Sequence, residues 1–213
     1  MADHWHATIA AAARPARDAD DGFAAHALAC ILAVAVDEAA RGEADVCAAT
    51  GLAPDRLDAL LAERFPAVDR RLFPLADVAR PTSEPEEEVL RDLLLDHLAE
   101  DRRAGDGPLV AAMIARRAMR PDHLWQDLGL FDRAELGRLL ALFFPVLHAG
   151  NTRNMRWKKY FYRRLCEAEG FALCSAPSCA ACTDFSDCFG AEDGESRMAE
   201  RRRAMDLAVL AAE

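Results

Sequence analysis

Forty-five of the 213 residues are alanine, the strongest helix former, and few β-branched residues and only two tyrosines accompany them. That balance predicts an all-α chain and argues against a sheet. The alanines inflate the hydrophobic share of 52%, yet the remaining apolar side chains still suffice for a core at this length. The longest apolar run, residues 23–36, contains His26 and is shorter than the ~18 residues a membrane helix needs. The N-terminus is acidic and carries histidines, unlike a signal peptide. A soluble, cytoplasmic protein is the expectation.

Helix signals divide the chain into a tail, a helical body and two short C-terminal pieces. Residues 1–20 read as a loose tail whose His4 and His6 could pick up a metal in vitro. The body covers residues 21–170. Asp21 is placed to cap a helix running to about Arg41, and Pro54 to open one through Arg64 with Leu57, Leu60 and Leu61 on one face. Four prolines make 65–85 an irregular crossover. Ser83 and Glu86 form a capping box for a helix to about Arg103, and Pro108 starts the next, through Met119. Asp132 with Glu135 caps a helix to Phe144, and residues 151–169 read as another, closed by Gly170. Residues 51–66 and 129–145 share Gly-Leu, a leucine-rich stretch and Phe-Pro, which suggests two related helical hairpins. Residues 171–190 form a cysteine-rich loop, and 191–213 a terminal helix.

The net charge of −10 argues against a general nucleic-acid binder. Residues 151–164 nevertheless hold six bases and no acid. On a helix, Arg156, Lys159 and Arg163 share a stripe beside Trp157, Phe161 and Leu165. This is either the solvated face of a core helix or a face for docking an anion or acidic partner.

Cys30 and Cys47 lie in helical sequence and read as small buried side chains. The other five cysteines fall within 23 residues. Cys174, Cys179, Cys182 and Cys188 are spaced by four, two and five residues, in a loop too polar to order without a ligand. The opening spacing matches that of plant-type ferredoxins, which favours an iron–sulfur cluster, while a compact zinc site stays open. Cys166, just upstream, reads as packing or as an accessory metal ligand.

Three stretches, MRPDHLWQDLGL, NMRWKKYFYRRLCEAEGF and CSAPSCAACTDFSDCFGAE, together resemble the NifQ family of nitrogen-fixation proteins. The family's four-cysteine signature is intact at Cys174, Cys179, Cys182 and Cys188, and Trp157, Lys158 and Lys159 match the preceding helix. The resemblance is close over about residues 119–190 and loose over 21–118. It implies an iron–sulfur cluster of the 3Fe-4S or 4Fe-4S type, able to incorporate molybdenum on these four cysteines. It further implies donation of that molybdenum for the iron–molybdenum cofactor of nitrogenase, by a carrier rather than an enzyme. The implied partners are the cofactor-assembly scaffold NifEN and the nitrogenase iron protein. Which of Cys166, His97, His123 and His148 would complete the molybdenum shell is left open. The rival reading is a zinc-stabilised module that binds a protein or RNA.

Overall fold

The structure, a computed structural model, describes residues 2–76 and 78–168. All belong to the first of two units into which the chain divides, Met1–Leu173. Ten α-helices and two 3-10 turns, Arg70–Leu72 and Glu100–Arg102, are present, and no strand occurs among the described residues. The helices are α1 (Ala2–Ala11), α2 (Ala19–Ala40), α3 (Val46–Thr50), α4 (Pro54–Arg64) and α5 (Pro85–Asp96), then α6 (Gly107–Ala118), α7 (Leu124–Asp127), α8 (Arg133–Phe143), α9 (Pro145–Gly150) and α10 (Trp157–Ala168). The all-α expectation holds for this region.

The two similar stretches fold alike. In each, a short helix ends at a left-handed glycine, Gly51 (φ 74°) or Gly129 (φ 71°), before the leucine-rich helix α4 or α8. Those helices end at Phe65 (φ −131°, ψ 56°) and Phe144 (φ −133°, ψ 59°). Both phenylalanines are fully buried and both precede a proline. Each glycine also lies tightly against a helix of the other hairpin. A Cβ on Gly51 would lie 2.9 Å from Cβ of Arg116 in α6, and one on Gly129 would lie 2.9 Å from the Cys30 carbonyl of α2.

Helix α2 runs through the core and packs against α1, α3 and α8. At 22 residues it is longer than the apolar run suggested, and by length and composition alone it could cross a membrane. Within the body Leu28, Ile31 and Leu32 are fully buried, and its acids are matched by arginines. Asp21 receives Arg14 (2.9 Å), Arg17 (3.1 Å) and Arg64 (2.6 Å), and Arg64 also reaches Asp106 at 3.2 Å. Glu38 receives both terminal nitrogens of Arg117, at 3.0 and 2.9 Å, and Arg120 at 2.9 Å. Buried carboxylates need such partners, because removal from water penalises the charge.

Several expected boundaries move. The region read as a loose tail contains α1, which packs on α2 and buries Ile9 completely. Its apolar contacts were hidden among alanines. The cap of α2 is Asp18, whose side chain accepts from the amides of Asp20 and Asp21; Asp21 instead turns inward to its arginines. The Ser83–Glu86 capping box does not form. Ser83 donates to Glu88 at 2.8 Å, Glu84 occupies the cap position, and α5 stops at Asp96 rather than near Arg103. Helix α10 starts at Trp157, six residues later than expected, because Asn151 and Asn154 hold the chain in a turn. By contrast, Pro54 opens α4, Leu57, Leu60 and Leu61 are buried, and the Asp132 carboxylate accepts from the Glu135 amide as the sequence suggested. The expected loop at 171–190 and terminal helix at 191–213 lie outside the described residues.

Candidate oxyanion site

The turn before α10 is built by side chains bonding to backbone. Asn151 donates through Nδ2 to the Met155 carbonyl at 2.8 Å and accepts from the Met155 amide at 2.8 Å. Asn154 adopts φ 55°, a conformation asparagine tolerates better than most residues. From α8, Arg133 donates to the carbonyls of Asn154 (3.1 Å) and Met155 (2.9 Å). The turn is therefore fixed from two directions.

Helix α10 then buries Trp157, Tyr160 and Phe161 and packs against α5. His148 of α9 stacks on Trp157, with ring centroids 5.9 Å apart and planes 21° from parallel. Lys158 is drawn inward and donates to Asp127 and to the Arg120 carbonyl. Of the expected apolar stripe Trp157 and Phe161 are buried and Leu165 is half-buried, and one of the six bases belongs to the interior.

Between the turn and the outer face of α10 lies a cavity of about 270 Å³. Arg153, Arg163 and Arg164 line it together with Glu167, Thr152 and Tyr160. Glu167 accepts from Arg163 Nε at 2.8 Å and from Arg164 at 3.2 Å. The Arg163 hydrogen bond, aided by the charges of both arginines, holds its carboxyl below the usual range. Burial pushes the Tyr160 phenol up, so its hydroxyl stays a donor at neutral pH. Among the described lining residues, three guanidiniums accompany one carboxylate, and guanidinium forks suit tetrahedral oxyanions.

The sequence-proposed docking stripe is thus divided. Arg163 lines the cavity, whereas Arg156 and Lys159 do not; Arg156 immediately precedes α10. Sequence reasoning did not single out Arg153 and Arg164. The signal available was the Asn151–Asn154 pair, whose turn folds Arg153 back toward the helix. Cys30 and Cys47 are buried, as expected, and burial pushes their thiols up to about 12 and about 11. Cys166 is partly buried and free. His97 Nδ1 contacts the Leu93 carbonyl at 2.9 Å, and His123 occupies the cap of α7. Cys174, Cys179, Cys182 and Cys188 lie outside the described residues.

These features define a helical body, among the described residues, with an arginine-lined surface cavity, in a chain that also carries a compact four-cysteine pattern. The NifQ family model matches residues 27–190, a span that includes all four of these cysteines, and the chain belongs to the NifQ family. It is 52% identical to a protein NifQ homolog of Sinorhizobium fredii over 184 residues, covering 85% of this chain and 78% of that protein. It is 40% identical to protein NifQ of Rhodobacter capsulatus over 169 residues, covering 78% and 89%. Protein NifQ of Azotobacter vinelandii is 48% identical over 108 residues, about half of each chain. No solved structure matches.

Proposed function

We propose that the protein is a cytoplasmic carrier that acquires molybdenum in an iron–sulfur cluster and donates it for nitrogenase iron–molybdenum cofactor biosynthesis. Membership of the NifQ family, over a match that spans Cys174, Cys179, Cys182 and Cys188, is the observation that carries this reading. Four closely spaced thiolates are soft donors and fit an iron–sulfur species better than a hard cation. These residues would hold the cluster, whose sulfides supply ligands for molybdenum. The acceptors on this reading are the NifEN scaffold and the nitrogenase iron protein, and no catalytic turnover is involved.

The body's own residues support the acquisition step. Molybdenum is available to cells as a doubly charged tetrahedral oxyanion. Arg153, Arg163 and Arg164 present donors in fork geometry, and Tyr160 adds a hydroxyl that remains protonated. A positive cavity in a protein of net charge −10 concentrates such an anion locally. Anaerobic purification followed by iron, sulfide and molybdenum analysis tests the proposal. Brown protein that loads molybdenum and loses it to an acceptor is expected; colourless protein with one zinc per chain would overturn it.

A further inference from the structure

The first turn of α8 and the facing sides of α1 and α2 bring together four metal-ligating side chains that the proposed function does not use. His6 Nε2 lies 3.1 Å from His26 Nδ1. Cys30, one turn after His26 on α2, has its sulfur 3.7 Å from His26 Nε2. One donor atom from each of His6, His26 and Cys30 can be chosen so that all lie within 4.8 Å of one another. Glu135 of α8 approaches His26 Nε2 at 3.0 Å, and its second oxygen accepts from the Phe131 amide at 2.9 Å. The family-model match begins at residue 27, after His6 and His26.

We propose that His6, His26 and Cys30 form a binding site for one divalent transition-metal ion of the zinc class, with Glu135 as a positioning residue on His26. The three donor atoms, within 4.8 Å of one another, need to draw in only modestly around such an ion. In a tetrahedral site with bonds of about 2.0–2.1 Å to nitrogen and 2.3 Å to sulfur, donor atoms sit roughly 3.3–3.6 Å apart. A mixed imidazole and thiolate set selects zinc, cobalt or nickel over magnesium and calcium. Because Glu135 lies on Nε2 of His26, the ion would take Nδ1, the nitrogen beside His6; a carboxylate on the second nitrogen of a ligating histidine fixes its tautomer and ring orientation.

Charge and shielding agree with the geometry. One thiolate and one carboxylate together balance a divalent cation. Ligation through sulfur requires the Cys30 thiolate, so loading the ion releases a proton. The Phe131 ring stands edge-on to both imidazoles, at 5.3 Å from His6 and 5.1 Å from His26, although 60% of the residue is exposed. An ion here would tie α1 to α2 and, through Glu135, to α8. This site is independent of the cysteine loop, and either assignment can fail without the other.

The test is anaerobic titration of the full-length chain with cobalt(II). The four cysteines Cys174, Cys179, Cys182 and Cys188 are replaced by serine so that they cannot compete. One equivalent should bind with the intense visible bands of tetrahedral cobalt and a sulfur-to-cobalt charge-transfer band. Cys30→Ser should abolish the charge-transfer band, and His6→Gln should weaken binding at least tenfold with circular dichroism unchanged. Glu135→Gln should weaken binding about 10–100-fold yet keep the charge-transfer band. Zinc should raise Tm in the parent but not in His6→Gln. Absence of binding, a charge-transfer band that survives Cys30→Ser, or equal affinity in His6→Gln would each overturn the assignment.

Discussion

Lys158, in the first turn of α10, is paired with Asp127 at the end of α7, whose side chain is only 5% exposed. Arg117 connects this pair to the core, because its Nε donates to the Asp127 carbonyl at 2.6 Å while its terminal nitrogens hold Glu38. The helix that carries the arginine-lined cavity is thereby joined to α2 through charged groups. Lys158→Met leaves a buried carboxylate without its ammonium and should destabilise the protein by about 2–4 kcal/mol. Adding Asp127→Asn should recover part of that loss, and urea unfolding of both single variants and the double variant measures the coupling.

Gly129→Ala combines strain at positive φ with a collision against Val34 and the Cys30 carbonyl. A cost of about 2–4 kcal/mol is expected. Gly105 also has positive φ (95°) but nothing within 4 Å of an added Cβ, so Gly105→Ala should cost only about 1 kcal/mol. Thermal unfolding of the two variants separates backbone strain from packing; equal losses would show that the helix contact at Gly129 contributes nothing.

Burial by itself would raise the Asp21 carboxyl, but hydrogen bonds from Arg14, the Arg17 amide, Arg64 and the Arg17 side chain hold it far below the ordinary range. A depressed carboxylate contributes stability that is complete above its unfolded value, near pH 4, and is lost as pH falls toward its folded one. Asp21→Asn should therefore weaken the protein at pH 7 by about 3 kcal/mol and also flatten the stability loss between pH 5 and pH 2. Urea midpoints across that range are the measurement, and a slope equal to wild type would remove Asp21 from the acid response.

Serine at Cys174, Cys179, Cys182 or Cys188 should abolish iron binding, because a hydroxyl is a poor soft ligand. Cys47→Ser should keep it. Near-normal iron in two or more of the four variants would defeat the cluster assignment.

Glutamine at Arg153, Arg163 and Arg164 should leave folding and iron content unchanged while lowering molybdenum loading. Salt should mimic the variant by screening these exposed charges. The comparison is the molybdenum-to-iron ratio at low and high ionic strength, with Arg156→Gln, Lys159→Gln as the control pair outside the cavity.

Helix identity was legible wherever a strong local signal had one meaning. Pro54, Asp132 and the leucines of α4 fixed their elements because proline geometry and carboxylate capping act over a single turn. Misreadings arose where a local signal had a tertiary competitor. Asp21 resembles a cap but is claimed by Arg64, 43 positions away, and Glu86 is claimed by Tyr162 of α10 rather than by Ser83. Alanine concealed α1, since it offers high propensity with almost no amphipathic pattern. Of the cavity, charge composition revealed Arg163, whereas Arg153 depends on the Asn151 turn and could not be placed by helical spacing. The His6–His26 contact spans 20 positions across a break between helices, and no periodicity encodes it.

Gly51 seats against α6 and Gly129 against α2, so each hairpin is closed by a helix of the other. Each half offers the same kind of patch to the other, so neither presents a finished surface alone, and the pair should melt as one cooperative unit. The two hairpins differ at their exits. Beyond Phe65-Pro66 the chain crosses over irregularly, whereas beyond Phe144-Pro145 it continues as α9 and the cavity-bearing α10. The duplicated part is the chassis, and specialisation was added at one exit only.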